Sequence, residues 1–368
     1  MNKNTIDMSS FLKNGRYKHG LPASAYTNDV FFRAECDTLF TNNWVFVGFV
    51  HELIRPGDAT PITVAGQPVV LIKNNKGKIN AFHNACSHRC LKLVDEPMNV
   101  GSMLSCPYHC WTYSLDGDLC ATPFFGGKDN QLKDFNMSDH GLKSIKIATW
   151  HDWIFINLSG TAPEFEDYAA PLIKNFDDIN FKLLEPLATL DFGEISTNWK
   201  FLMENFIEPY HVQFVHQTTT NQPLQDHYTL IDGVCVGSAI DLNDKVKFKG
   251  RLSVSSRYFT LFPNFVIARY FPDQIGVHLN FPIDSGHTKQ KRVIYSTGGQ
   301  TVPKEEVETI KNLWWDVHKE DHAICERLQL GRASPVANEG GILSPHWEDS
   351  VYAFQEMIAN AVTGILIK

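Results

Sequence analysis

Two short stretches, CSHRC at Cys86–Cys90 and CPYHC at Cys106–Cys110, constrain this chain more than anything else in it. Each sets a cysteine and a histidine within reach of one another. The donors are Cys86, His88, Cys106 and His109, spaced as Cys-x-His, 17 intervening residues, then Cys-x-x-His. Four ligands of this softness suit a structural zinc or a two-iron cluster in which one iron keeps two thiolates and the other takes two imidazoles. Zinc knuckles usually start from two like ligands. Here each loop offers one of each kind and can serve both irons at once, which favours a [2Fe-2S] cluster and leaves zinc as the alternative.

The chain around those loops has a matching texture. From Trp44 to Asn157, alternating apolar runs such as TPITVAG, QPVVLIKN and WIFINL are cut by turn signals, NNKGK and SLDGDL among them, the pattern of a small antiparallel β domain. NNKG at Asn74–Gly77 reads as a hairpin turn. A chain of 368 residues exceeds what one core usually organises, and the texture changes past a connector at Ala162–Asp178. Strands are expected near Leu187–Ser196, Lys245–Val254, Phe265–Phe271 and Lys291–Ser296, with a helix opening at Thr197 or Asn198. A long helix is expected from Pro303 to Leu330 and a closing one from Trp347. The fold class is therefore α+β, divided as an N-terminal segment over residues 1–43, a β domain over 44–160 and a second domain over 161–368.

A second constellation lies in NWKFLMENFIEPYHVQFVHQ, Asn198–Gln217. His211 and His216 are five residues apart, which on an unbroken helix turns the second about 140° from the first and excludes a helical His-x-x-x-His zinc site. The two imidazoles converge only if the helix breaks, and Pro209 cannot donate to the ladder. Two histidines and one carboxylate with open positions make the facial triad of non-haem iron(II) oxygenases. WWDVHKEDHAICERLQLG offers Asp316, Glu320 and Asp321 as the carboxylate. Solvated helix charge is the ordinary reading of such acids, and it is kept for Glu320.

CSHRC and CPYHCWTYSLDG resemble the two cluster loops of the Rieske oxygenases, usually CxHRG and CPYHGW, and the likeness extends over nearly the whole chain. It departs twice. Cys90 and Cys110 stand where the family commonly has glycine, positions that accommodate positive φ or close backbone approach, so cysteine there costs strain or shifts the loop. A Cys90–Cys110 disulfide and two free cytosolic thiols are both open. Trp111 occupies the place where high-potential Rieske centres carry a serine donating to a cluster sulfur, which puts the expected potential toward the low end of roughly −150 to +300 mV. The resemblance implies that His211 and His216 ligate iron, with Asp321 of the Glu-Asp pair as third ligand and Asp316 as fallback. It implies that Glu208 bridges the iron site to a neighbouring subunit's cluster, and Asn205 matches the family's nearby asparagine. The implied architecture is a Rieske domain followed by a catalytic domain with an antiparallel sheet and long helices, of the helix-grip, START-like kind, in a head-to-tail homotrimer.

The implied activity is O2-dependent hydroxylation of a C–H bond in a small molecule; on carbon bound to nitrogen the carbinolamine collapses with C–N cleavage. Glutamate rather than aspartate at position 208, together with EDHAICERLQLG and HWEDSVYAFQEMIANAV, resembles the branch acting on quaternary ammonium compounds such as carnitine, choline and betaines. An aromatic-ring hydroxylase, or an O- or N-demethylase of an aryl substrate, is the alternative. Quaternary ammonium heads bind aromatic faces, and Tyr210, Phe214, Phe259, Phe262, Phe265, Tyr270, Trp314 and Trp315 are available for a cage or for core packing.

No Gly-x-Gly-x-x-Gly loop after a strand and no Cys-x(4)-Cys-x(2)-Cys motif occurs in the sequence. Electrons from NAD(P)H are therefore expected through a separate flavin and iron–sulfur reductase. A Rieske electron carrier without oxygenase activity is the reading from a different class, and the low expected potential speaks against it. A formal charge of −8 without any Lys/Arg cluster argues against nucleic-acid and anionic-membrane partners. No apolar run approaches a membrane span or a signal sequence, which points to the cytoplasm and to the eight cysteines being thiols or metal ligands.

Overall fold

In the computed structural model the described residues are 8–13, 15–129, 132, 134–219, 223–241, 247–248, 251–252, 255–270, 273–299 and 301–363. They divide into two compact units. One is Phe40–Ala162; the other joins the residues up to Leu39 with those from Pro163 onward.

Alternation and turn chemistry account for the first unit. Asp58–Val64, Gln67–Lys73 and Ile79–His83 form an antiparallel meander extended by Met98–Asn99. The expected Asn74–Gly77 turn closes it: the Asn74 side-chain oxygen accepts from the Lys76 and Lys78 N–H groups at 3.0 and 2.9 Å, and Gly77 takes φ +79°. A second small sheet, Met103–Ser105 with Thr112–Ser114 and Leu119–Ala121, carries the second Cys/His loop as its first turn. Val45–Phe49, Trp153–Asn157 and Lys146–Trp150 make the third sheet. The two cluster loops sit on a core of Val70, Ile72, Phe82, Tyr113 and Leu115. Gly117 in the SLDGDL turn is fixed by packing and backbone alike, since its φ is +91° and a Cβ would lie 2.5 Å from the Phe82 ring.

The second unit is α+β, as expected. Its sheet of seven antiparallel strands runs in the order Glu185–Ile195, Thr288–Ser296, Gln274–Pro282, Phe265–Arg269, Ser256–Leu261, Cys235–Ile240, His227–Asp232. The strand expected over Lys245–Val254 falls largely outside the described residues, of which Lys247–Phe248 and Arg251–Leu252 form a short antiparallel pair. Asn198 caps the helix Trp199–Ile207 by accepting from the Lys200 N–H at 3.0 Å. That helix packs against strands Ser256–Leu261 and Gln274–Pro282 and against the helices Lys304–Gly331 and Asp349–Thr363. Pro303 caps the long helix rather than opening its first turn.

Residues before Leu39 belong to this unit through buried polar contacts. Lys200 Nζ lies 2.6 Å from Glu35 Oε1 with both side chains fully buried, and the Tyr26 hydroxyl donates to Glu204 at 2.7 Å while its ring stacks on Phe201. Removing one partner of the Lys200–Glu35 pair strands the other charge, a loss of about 3–5 kcal/mol.

Candidate metal centres

The two Cys/His loops share one backbone design. The Cys86 N–H donates to the Leu91 carbonyl and the Cys90 N–H to the Cys86 carbonyl, both at 2.8 Å; the Cys106 N–H donates to Trp111 at 2.8 Å and Cys110 to Cys106 at 3.0 Å. This tight turn demands a left-handed residue at the same place in each loop. Cys90 has φ +57° and Cys110 φ +56°, the conformation that costs a residue with a Cβ about 1–2 kcal/mol. Both cysteines are exposed and free, so the strain expected from the sequence is present and no bridge joins them.

The donors sort by depth. Cys86 and Cys106 are buried, His88 is half-buried and His109 is exposed, and the two imidazole rings are 4.7 Å apart. Burial pushes the Cys106 thiol up, opposed by the backbone N–H groups of Tyr108 and His109 that face its sulfur, so the loop already supplies donors for sulfur charge. Among the described residues, His211, His216 and Asp321 are the only group drawn close enough to share one ion. The loop donors are thus spread wider than a single zinc takes, which fits a two-iron cluster with its thiolate end inward.

Sequence reasoning missed Tyr113. Its hydroxyl lies 3.1 Å from the Cys86 sulfur while accepting from the Ser87 N–H at 3.0 Å. The polar partner sought at position 111 is therefore supplied from two residues further on, and Trp111 instead stacks on the His88 ring at 4.8 Å.

The second constellation forms where the helix breaks. Trp199–Ile207 ends at Glu208, whose backbone is extended, and Val212–Val215 restarts the helix after Pro209. The Glu208 carboxylate accepts from the Tyr210 N–H and, at 3.2 Å, from the His211 N–H. The turn sets the His211 and His216 rings 5.2 Å apart, and the long helix brings Asp321 beside them. His211 Nε2 and His216 Nε2 lie 3.6 and 3.1 Å from Asp321 Oδ1, and the three ligand atoms fall within 4.8 Å of one another. Each imidazole is turned by a carboxylate behind it: His211 Nδ1 donates to Glu208 at 2.5 Å and His216 Nδ1 to Glu320 at 2.7 Å. Both Nε2 atoms are thereby turned toward Asp321, where a cation could replace the proton between them, the arrangement that metal-binding histidines use.

Burial pulls both imidazoles down, yet the carboxylates outweigh it and raise His216 to about 9. The site favours added positive charge, which a divalent ion supplies, so two imidazoles and one carboxylate fit iron(II). Glu320, expected as solvated helix charge, instead holds His216 and accepts from the Thr219 hydroxyl at 2.7 Å. Asp316 is exposed on the same helix and outside the group.

A partly open cavity lies beside His211, His216 and Asp321. Glu208 and Asn205 line it, as do Tyr270 and Trp314 of the proposed aromatic cage. Phe259, Phe262 and Phe265 are buried core and do not line it, and Tyr210, Phe214 and Trp315 are exposed outside it. The other aromatic walls are Phe206 and Tyr258, which no motif singled out. Among its polar lining is Arg292, 4% exposed, with its guanidinium 3.7 Å from the Trp314 ring centroid; burial pulls it down to about 9.

Comparison with known proteins finds a family match for each part of the chain that carries one of these centres. The Rieske [2Fe-2S] domain family matches residues 43–136, and the ring hydroxylating alpha subunit (catalytic domain) family matches residues 185–364. The glycine betaine monooxygenase oxygenase subunit of Chromohalobacter salexigens is 30% identical over 221 residues, 60% of this chain and 48% of that protein, so the match spans about half of the relative's length. Chloroplastic choline monooxygenase of Spinacia oleracea is 25% identical over 336 residues, 89% of this chain and 75% of the relative. The crystal structure of the quaternary ammonium Rieske monooxygenase CntA in complex with substrate L-carnitine shares the fold, with a TM-score of 0.79 at 22% identity over 97% of this chain and 99% of that one. With a Rieske [2Fe-2S] domain followed by the catalytic domain of a ring hydroxylating alpha subunit, this chain belongs to the Rieske oxygenases.

Proposed function

We propose that the chain is the oxygenase component of an O2-dependent system that hydroxylates a C–H bond of a quaternary ammonium compound, with hydroxylation, N-demethylation or other C–N cleavage as the outcome. The observation that carries this reading is the convergence of His211 Nε2, His216 Nε2 and Asp321 Oδ1 at the edge of a cavity walled by Phe206, Tyr258 and Tyr270. Iron held there supplies O2 chemistry in which one oxygen atom enters the C–H bond and the other leaves as water, at the expense of two electrons and two protons.

The chain's own residues do the rest. Glu208 and Glu320 keep the two Nδ1 protons in place, so each imidazole presents its other nitrogen without rotating. Aromatic faces hold an ammonium head by cation–π attraction, about 0.5–2 kcal/mol per favourable contact. In this reading Cys86 and Cys106 hold the buried iron of the cluster, and His88 and His109 the outer one. Exposed His109 then meets Glu208 of a neighbouring subunit in a head-to-tail trimer, since head-to-tail contacts close into rings when the rotation permits. Glu208 is suited to the bridge because it already accepts from His211 on one side.

Purified protein with both metals, NADH and O2 should not turn over glycine betaine, carnitine or choline, and adding a flavin and iron–sulfur reductase should start turnover. Turnover without the reductase, or none with it for every quaternary ammonium compound tried, contradicts the proposal.

A further inference from the structure

Arg292 is a buried cation without an anion. Among the described residues no carboxylate lies within 4 Å of its guanidinium; its one hydrogen bond there is Nη1 to His318 Nε2 at 3.2 Å, and its Nε has no partner. The carboxylate whose charge bears on it, Asp321, is engaged with His211 and His216. A buried cation left unpaired is costly.

The surroundings are built around that cation rather than collapsed on it. Gly276, on the neighbouring strand, leaves the guanidinium its space: a Cβ there would lie 2.5 Å from Nη2. His278 pairs with Arg292 across the two strands, and its buried Nε2 has no partner; the Trp314 indole N–H is likewise buried and unpaired. All three residues line the cavity beside the His211, His216 and Asp321 group. Burial keeps His278 neutral, so one ring nitrogen remains available to donate.

We infer that Arg292, assisted by the unpaired polar atoms of His278 and Trp314, binds a carboxylate of the substrate. The inference rests on the proposal that this cavity takes the substrate, and it narrows the class. A bare ammonium cation such as choline gains nothing from a guanidinium, whereas a molecule carrying both an ammonium head and a carboxylate finds aromatic faces and an arginine in one cavity. Guanidinium–carboxylate pairing is the strong, geometrically specific contact of such a site. An aryl carboxylate presents the same anion, so the test separates the two sources.

Isothermal titration calorimetry on the anaerobic, metal-loaded oligomer would compare glycine betaine with choline, and benzoate with benzyl alcohol. At least one carboxylated probe should bind 100-fold or more tighter than its counterpart, and the betaine or the benzoate arm identifies the source. Arg292→Gln should reduce that ratio to below about threefold, Arg292→Lys should restore part of it, and Gly276→Ala, which crowds the guanidinium while keeping its charge, should cut it at least tenfold. The ligand-free Tm of Arg292→Gln should hold or rise, because an unpaired buried cation has been removed. A ratio near one in the wild type, a ratio unchanged in both Arg292→Gln and Gly276→Ala, no binding of either carboxylated probe, or a large fall in that Tm overturns the inference. Binding is read apart from turnover: tight, Arg292-dependent binding without oxygenation by the reductase-coupled protein would instead fault the proposed function.

Discussion

Replacing Glu320 is the sharpest single test of how the iron site is held. Its Oε2 accepts from His216 Nδ1 and from the Thr219 hydroxyl, both at 2.7 Å, and His216 is only 4% exposed. Glu320→Gln keeps an acceptor of the same shape and removes its charge. Hydrogen bonds to charged groups contribute about 1.5–3 kcal/mol against about 0.5–1.5 for neutral ones, so the loss is about 1–1.5 kcal/mol, roughly tenfold in iron(II) affinity. Glu320→Ala removes the acceptor and leaves a buried N–H unpaired, which carries the loss toward about 100-fold, the upper end for such supporting contacts. Anaerobic competition with a chromogenic chelator reads the affinity, and the visible colour of the cluster reports that the other centre is intact. Asp316→Asn, on the exposed side of the same helix, is the control and should change nothing. Iron affinity in Glu320→Ala within twofold of wild type would refute the reasoning.

Tyr113→Phe should lower the cluster's reduction potential by about 40–60 mV, the equivalent of about 1–1.4 kcal/mol for one electron; a redox titration finding no shift would show that the hydroxyl does not bear on the Cys86 sulfur. Cys90→Gly and Cys110→Gly should each stabilise the protein by about 0.5–1 kcal/mol, the relief of the left-handed conformation less the greater freedom of glycine in the unfolded chain, read as a rise in denaturation midpoint. His227, whose buried ring is pulled down to about 4 from an ordinary value near 6.5, binds its proton more readily when unfolded. Its neutral-state stability is complete above about pH 6.5 and is lost as pH falls toward 4, up to about 3 kcal/mol. Wild-type stability should therefore fall relative to His227→Phe over that window, and parallel pH profiles would contradict it.

The parts of the site that sequence exposes are those set by local rules. Cys86, His88, Cys106 and His109 sit within two five-residue stretches, and the strain at Cys90 and Cys110 follows from the turn each stretch must make. Pro209 marks the helix break for the same reason, since a missing N–H acts where it stands. Glu320 was illegible because its partner His216 is 104 residues away and an acid on a helix looks the same whether solvated or bonded. Arg292 was hidden in a strand read as ordinary, although Thr288, Gln290, Arg292 and Ile294 share its inward face and are all buried while Lys289 is exposed and Lys291 half-buried. The polar members of that period-two set were the available signal. Of the expected aromatic cage, Tyr270 and Trp314 line the cavity, and hydrophobicity alone does not separate a cavity wall from a core.

Single turnover tests the central claim most directly. Protein loaded with both metals would be reduced chemically, freed of reductant and mixed with O2 and a quaternary ammonium substrate, in wild type and in Asp321→Ala. Wild type should give oxygenated or demethylated product while its cluster reoxidises, without any reductase present. Asp321→Ala should keep the cluster colour, lose the mononuclear iron and form no product. Equal product from both proteins would contradict the assignment of the chemistry to His211, His216 and Asp321.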